Sequence, residues 1–258
     1  MTIVHIPIYF LSAIIFFLIL LFNWFGFKFK KWHLEKYPGR VPEDLGAVEG
    51  SMLGAMALLL GFTFSIATSK FETRRQITVD EANDIGTAIL RCDMYPDSVR
   101  NPLRADFKEY IETRITYYAV GDDEEKIKQE LVKAGEISDR IWKRVAFQAQ
   151  NPNNIAITAQ MIPAVNAMID IVTTRDAGRL SRVPRLVLMV LLGLVIISAF
   201  VLGSDYNGKK RNRILILGYA MAMTLTLTLI AELDRPREGL INLHAVEQKM
   251  IDLRELVK

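Results

Sequence analysis

Residues 50–91 read GSMLGAMALLLGFTFSIATSKFETRRQITVDEANDIGTAILR. Residues 50–69 carry no Lys, Arg, Asp or Glu, and charges begin at Lys70. A helix of roughly 20 apolar residues crosses the hydrocarbon core of a bilayer, about 30 Å thick. The first half of this stretch therefore reads as a membrane span, and Lys70, Glu72, Arg74 and Arg75 mark where it leaves the lipid. No proline interrupts residues 70–90, and the first glycine there is Gly86. One helix is expected to pass from the membrane into water without a break.

Three further charge-free stretches lie outward from it, at residues 7–27, 186–204 and 214–231. They reconcile two figures that otherwise conflict. The 258 residues are 51% apolar with a mean hydropathy of +0.20, yet 24% are charged. Segregating the charges from the apolar runs satisfies both, and it excludes a purely soluble globule as well as a disordered chain. The first stretch, broken only by Ser12 and Asn23, is too long for a secretory signal. It lacks a basic leader and is followed by Lys28, Lys30 and Lys31 in place of a cleavage site. Trp24 and Trp32 suit the membrane–water interface. The expected fold is all-α, an integral membrane protein with four transmembrane helices in two hairpins flanking a helical extramembrane domain. Hairpin 1 occupies residues 1–69 (spans 7–27 and 50–69) and the extramembrane domain 70–185. Hairpin 2 occupies 186–231 (spans 186–204 and 214–231), and a C-terminal amphipathic helix 232–258. The polar segments YPGRVPEDLG and SDYNGKKRN close the hairpins. A single cysteine, Cys92, precludes an intramolecular disulfide.

Within the insert, Asn101-Pro102 predicts a helix start, with Leu103, Phe107, Ile111, Ile115 and Tyr118 at helical spacing and Gly121 as the stop. Asp122 and Asp123 open the next helix, whose apolar stripe is Ile127, Leu131, Ala134, Ile141 and Val145. Asn151-Pro152-Asn153-Asn154 breaks the chain, and a helix from Ile155 follows, with Pro163 as a kink. Residues 155–173 are apolar enough to suggest a fifth span. Gln160, Pro163, Asn166 and Asp170 argue against one, because polar groups are costly in lipid. From Leu240 to Val257 an amphipathic pattern predicts a helix that packs on the insert or lies on the membrane surface.

Gly50, Gly54, Ala57, Gly61, Ser65 and Thr68 recur at spacings of three and four. They form a stripe roughly 80° wide, with Phe64 at its edge. Small residues let helices approach closely in lipid, where water supplies no drive between them. The same stripe could instead line a pore, with Phe64 as a constriction. Lys70, Arg74 and Arg75 suit either lipid phosphate or an anion-attracting mouth. Glu72 can pair with Arg75. Glu81 is expected on a solvated face or beside basic residues of a neighbouring helix, and Asp234 and Arg235 with the charges at the exit of the fourth span. No metal-ligand spacing, phosphate loop or nucleophile elbow occurs, so no catalytic residue, metal or cofactor is expected. A net charge of +3 with basic residues near span ends gives no footprint for nucleic acid.

Residues 57–91 and the exit ELDRPREG, residues 232–239, together with two hairpins around a helical insert, resemble the bestrophin-like domain family of mostly bacterial multi-pass membrane proteins. The family name records a kinship with bestrophins, which are pentameric, mainly anion-conducting channels. The resemblance implies a homo-oligomer, membrane lipid and inorganic anions as partners, and a second span lining the pore. It also implies a cell-membrane location with the helical domain and both termini in the cytoplasm. Counting basic residues in the short loops leans towards an outside insert, and the family orientation is taken over it. The tandem phenylalanine motif and the acidic calcium clasp of bestrophins have no clear counterpart beside Phe62 and Phe64. The alternative function is a membrane-anchored structural or regulatory module whose helical domain binds a partner.

Overall fold

The computed structural model describes residues 7–37, 46–121, 123–204, 212–235, 241 and 243–258. Among these residues every regular element is helical. The order is α1 (Ile8–Lys36), α2 (Gly46–Cys92), α3 (Asp97–Ala119), α4 (Glu124–Gln148), α5 (Ile155–Leu180), α6 (Arg185–Ser204), α7 (Arg213–Asp234) and α8 (His244–Asp252). Short 3-10 turns occupy Pro152–Asn154 and Leu253–Val257. Most of the two hairpin segments, YPGRVPEDLG and SDYNGKKRN, lies outside the described residues.

The chain divides into two compact units. Unit 1 comprises Met1–Ser69 and Arg182–Arg235; unit 2 comprises Lys70–Ser181 and Pro236–Lys258. The long helix α2 contributes its first part to unit 1 and the remainder to unit 2. The four helices long and apolar enough to cross a membrane include α1, α2 and α7, and the most apolar window of the third lies between Pro152 and Ser204.

In unit 1, α1 packs against α6 and α7. The polar residues that interrupt the first apolar run are the ones bonded across helices. Asn23 is buried and donates from Nδ2 to the Ala199 carbonyl of α6 at 3.0 Å. The Ser12 hydroxyl lies 2.7 Å from that of Thr228 on α7. Hydrocarbon offers polar groups no partner, so internal pairing is the only way to satisfy them. At the α1–α6 crossing the backbones themselves touch. A Cβ on Gly26 would stand 2.0 Å from the Phe200 carbonyl oxygen, and one on Gly203 2.0 Å from that of Asn23. The large apolar side chains of these helices, among them Phe17, Leu186 and Leu215, point outward, as lipid-facing surfaces require. The Asp234 carboxylate accepts from the Val183 amide at 2.8 Å, tying the end of α7 to the approach of α6.

In unit 2, α3, α4 and α5 pack with the second part of α2 around a core that includes Ile85, Phe107, Ile141, Val165 and Met250. Several local signals act as the sequence indicates. Gly121 takes φ +62° just after α3, a left-handed geometry that glycine adopts without Cβ strain. The Asp123 side chain accepts from the Lys126 amide and caps α4. Asn151 does the same for Asn153. One expectation is corrected. The third helix starts at Asp97, not after Asn101, and Pro102 lies inside it. Pro96 stands just before the start, Asp97 occupies the dipole-favoured first turn and pairs with Arg100, and these signals act ahead of Asn101-Pro102. Helix α5 continues through Pro163 and buries Met161, Val165 and Met168 in this core, the placement of an extramembrane helix rather than a fifth span. The C-terminal segment also packs here. Met250, Leu253 and Val257 join the core, and Arg254 donates twice to Glu112 of α3, at 2.7 and 2.6 Å. Its helix begins at His244, and Leu240 lies outside the described residues.

The α1–α6 contact yields a direct test. Adding a methyl group at Gly203 or Gly26 forces backbone apart and should destabilise unit 1 by about 1–3 kcal/mol, the usual cost of overpacking. Gly193→Ala on α6 meets nothing within 4 Å and should be neutral or slightly stabilising. Thermal melts of the three variants in detergent check the difference.

Candidate functional site

On unit 1 the candidate face is the small-residue stripe of α2. Gly50, Gly54, Ala57, Gly61 and Ser65 are exposed, Thr68 is half-buried, and Phe64 is 38% exposed. Among the described residues a Cβ at Gly50, Gly54 or Gly61 would meet nothing within 4 Å. The Thr68 hydroxyl donates to the Phe64 carbonyl at 3.0 Å, a bond within the helix. Met56, Thr63 and Ala67 are buried, and they lie roughly 130° around the helix from the stripe. The Tyr219 hydroxyl of α7 points at the Met56 sulfur, 3.7 Å away. Helix α2 thus packs into unit 1 with one face and presents the small residues on another.

In unit 2 the charges that follow the span are drawn into the structure. Lys70 Nζ donates to the Ser181 hydroxyl at 2.6 Å. Arg74 donates to the carbonyls of Gly178 at 3.2 Å and Ser181 at 2.6 Å. The last carbonyls of a helix have no partner within it and carry partial negative charge. Arg74 therefore caps the end of α5 from outside, and Lys70 holds the side chain of its C-cap residue, Ser181. Glu72 and Arg75 pair along α2 at 3.3 Å, both exposed. Asp234 and Arg235 belong to unit 1, where Asp234 holds Val183 and Arg235 ends α7.

Glu81 is wholly buried in the core of unit 2. Arg114 Nε donates to its Oε1 at 2.5 Å, the Tyr118 hydroxyl donates to Oε2 at 2.8 Å, and Arg175 Nε lies 3.3 Å from Oε2. Arg175 also donates to the Thr78 hydroxyl, which itself donates to the Arg74 carbonyl at 2.9 Å. Both guanidinium groups lie over rings, Arg114 at 4.3 Å from Tyr117 and Arg175 at 4.2 Å from Tyr118. Burial alone would raise the Glu81 carboxyl. The charges of Arg114 and Arg175 and the two hydrogen bonds outweigh it and hold the group below its ordinary 4.5. Burial and then the Glu81 charge push the Tyr118 hydroxyl well up. Asp84, partly buried and close to Asp80 and Glu81, is also raised.

Arg114 and Arg175 escape a reading of the sequence for exposed charge, although a signal exists. Each stands on an apolar helical face, Arg114 three residues after Ile111 and Arg175 seven after Met168. Cys92 is buried, its thiol is pushed up to about 12 chiefly by burial, and it donates weakly to the Arg100 carbonyl, an inert setting. Among the described residues no group of three or more His, Cys, Asp or Glu is placed to hold a metal ion.

The molecule is thus a four-span helical membrane protein with a helical extramembrane domain inserted between its hairpins. A family model for the bestrophin-like domain matches residues 29–245, and the chain belongs to that family. No curated protein matches the sequence. A bestrophin homologue from Klebsiella pneumoniae, solved by zinc phasing, superimposes with a TM-score of 0.71 at 13% identity, covering 94% of this chain and 98% of that one. A point variant of the same homologue gives 0.71 at 12% with the same coverage. A crystal structure described as a membrane protein gives 0.70 at 13%, covering 93% and 98%. At such identities the likeness shows the fold.

Breaking the buried pair should be costly, because it strands a charge in the core. Glu81→Gln is expected to lose about 3–5 kcal/mol at neutral pH. Because the folded pKa of Glu81 is depressed, its stabilisation is present above pH 4.5 and is lost as pH falls through the lower folded value. Melts followed by circular dichroism from pH 7 to pH 3 should show a shallower acid loss in Glu81→Gln than in the natural protein.

Proposed function

We propose that this chain is one subunit of a homo-oligomeric anion channel, with the second span lining the pore. The observation that carries the reading is the outward stripe of α2. Among the described residues Gly50, Gly54 and Gly61 meet nothing within 4 Å, while Gly26 and Gly203 are consumed inside the α1–α6 crossing. Small residues in a membrane helix favour close helix approach, and copies gathered about an axis by that face would enclose a path along it. Phe64 is then the bulky ring beside the stripe and the residue placed to narrow the path. The family supports the reading, and the Klebsiella homologue is called a bestrophin.

In this reading the protein is a multi-pass protein of the cell membrane, with the helical domain and both termini in the cytoplasm. A pentamer is the assembly that the resemblance to bestrophins implies. Lys70, Glu72, Arg74, Arg75, Glu81, Asp234 and Arg235 serve structure in it, capping, pairing and tying helices together, and the permeating ion meets α2.

Purified protein fused into a planar bilayer is expected to conduct chloride in preference to sodium, read from the reversal potential in a salt gradient. Phe64→Ala should raise the single-channel current at least twofold. Intact oligomers with no conductance in any salt would overturn the proposal and favour a membrane-anchored binding module.

A further inference from the structure

A groove of about 520 Å³ lies on unit 1, lined by Phe22, Phe25, Lys28, Phe29 and Trp32 of α1 and Phe200 of α6. Its size falls within the range of small-molecule sites. Its walls are aromatic, with ring centroids of Phe29 and Phe200 5.9 Å apart and those of Phe22 and Phe25 6.1 Å apart. The groove exists because the α1–α6 crossing is so close. Gly26 and Gly203 bring the two backbones into contact, and the bulky neighbours on either side are left standing around a cleft.

Its depth is set by the sequence. Phe22 and Phe25 belong to the charge-free run of residues 7–27, and Lys28 is the first charge after it. The groove therefore spans the boundary between hydrocarbon and headgroups. Trp24 and Trp32, both exposed, flank that boundary as interfacial anchors do. Of the neighbouring lysines, Lys30 does not line the groove and two others are engaged. Lys31 pairs with Glu35 at 3.8 Å, and Lys36 lies over the Trp32 ring at 4.9 Å. Lys28 is exposed, lies 5.6 Å from the Trp24 ring, and has no carboxylate within ion-pair distance among the described residues.

We propose that this groove is a binding site for one anionic phospholipid, with an acyl chain against Phe22, Phe25, Phe29 and Phe200 and the phosphate at Lys28. Charge complementarity selects the occupant. An apolar trough that ends at an unneutralised cation at headgroup depth fits a negatively charged amphiphile better than a zwitterionic one. The site depends on the membrane placement of α1 and α6, not on conduction.

Tryptophan quenching by brominated lipid tests it. The full-length protein is reconstituted in dioleoylphosphatidylcholine vesicles containing either brominated phosphatidylglycerol or brominated phosphatidylcholine, across a range of mole fractions. Trp32 lines the groove and reports on it, Trp24 stands beside Lys28 outside the lining, and the other tryptophan, Trp142, lies in unit 2. Brominated phosphatidylglycerol should quench in a saturable manner at low mole fraction, and brominated phosphatidylcholine only in proportion to its amount. Lys28→Gln should raise the half-quenching fraction about fivefold, the worth of one basic residue at the surface. Lys28→Arg should keep the preference, and Trp32→Phe should remove most of the signal. Each variant's fold is checked by circular dichroism and by its elution in detergent. Equal quenching by the two lipids, or a preference unchanged in Lys28→Gln, overturns the proposal. Absence of quenching by either lipid overturns it too, and assigns the groove to a second copy of the chain.

Discussion

A single carboxylate, Glu81, sits between two guanidinium groups in a place that water does not reach. The three residues come from α2, α3 and α5, which are far apart in sequence. Such a cluster adds little net stability over an apolar core, since desolvating ions offsets much of their attraction. Its force is conditional. Once these helices carry the charges, a sliding or rotation that separates them leaves an ion buried without a partner. The rings of Tyr117 and Tyr118 take the faces of the guanidinium groups, and the Tyr118 hydroxyl supplies a further donor to the carboxylate. The apolar core that includes Ile85, Phe107 and Val165 packs in the same unit.

Unit 1 reaches order by other means, because its surroundings differ. Where lipid is the solvent, burying apolar surface gives no gain, and shape and isolated hydrogen bonds decide which helices meet. The α1–α6 crossing uses both: two glycines in backbone contact and one amide, Asn23, bonded to the Ala199 carbonyl. Helix α2 spans both regimes. Its charged half is fastened by ion pairs, and its apolar half exposes glycines that no described residue covers.

Much of this was legible in the sequence wherever the determining signal is local. Charge-free runs of bilayer length mark the spans, Gly121 and Asp123 mark a stop and a start, and Asn151 marks a break. Local competition explains the misplaced start of α3, where Pro96 and Asp97 act ahead of Asn101-Pro102. What the sequence conceals is partnership over long distances. Gly26 and Gly203 are 177 positions apart, and nothing near either marks them as facing backbone. Arg114 and Arg175 read as ordinary helical arginines unless their place on apolar faces is weighed, and only the fold brings them to Glu81.

The fate of the basic residues after the second span bears on how an anion path would work. A mouth lined by free arginines would draw anions by field alone. Here Lys70 and Arg74 spend their hydrogen bonds on the end of α5, and Arg75, though exposed, is matched by Glu72 at 3.3 Å. An exposed pair of this kind is close to neutral from a distance, and salt screens what remains. Lys70 and Arg74 keep their positive charge, since a hydroxyl and carbonyls do not neutralise it. In the proposed channel they would still favour anions, and the apolar stretch beside Ala57, Gly61 and Phe64 would set the cost of shedding water. Weakly hydrated anions cross such a stretch more readily than strongly hydrated ones, so discrimination among anions would follow dehydration cost.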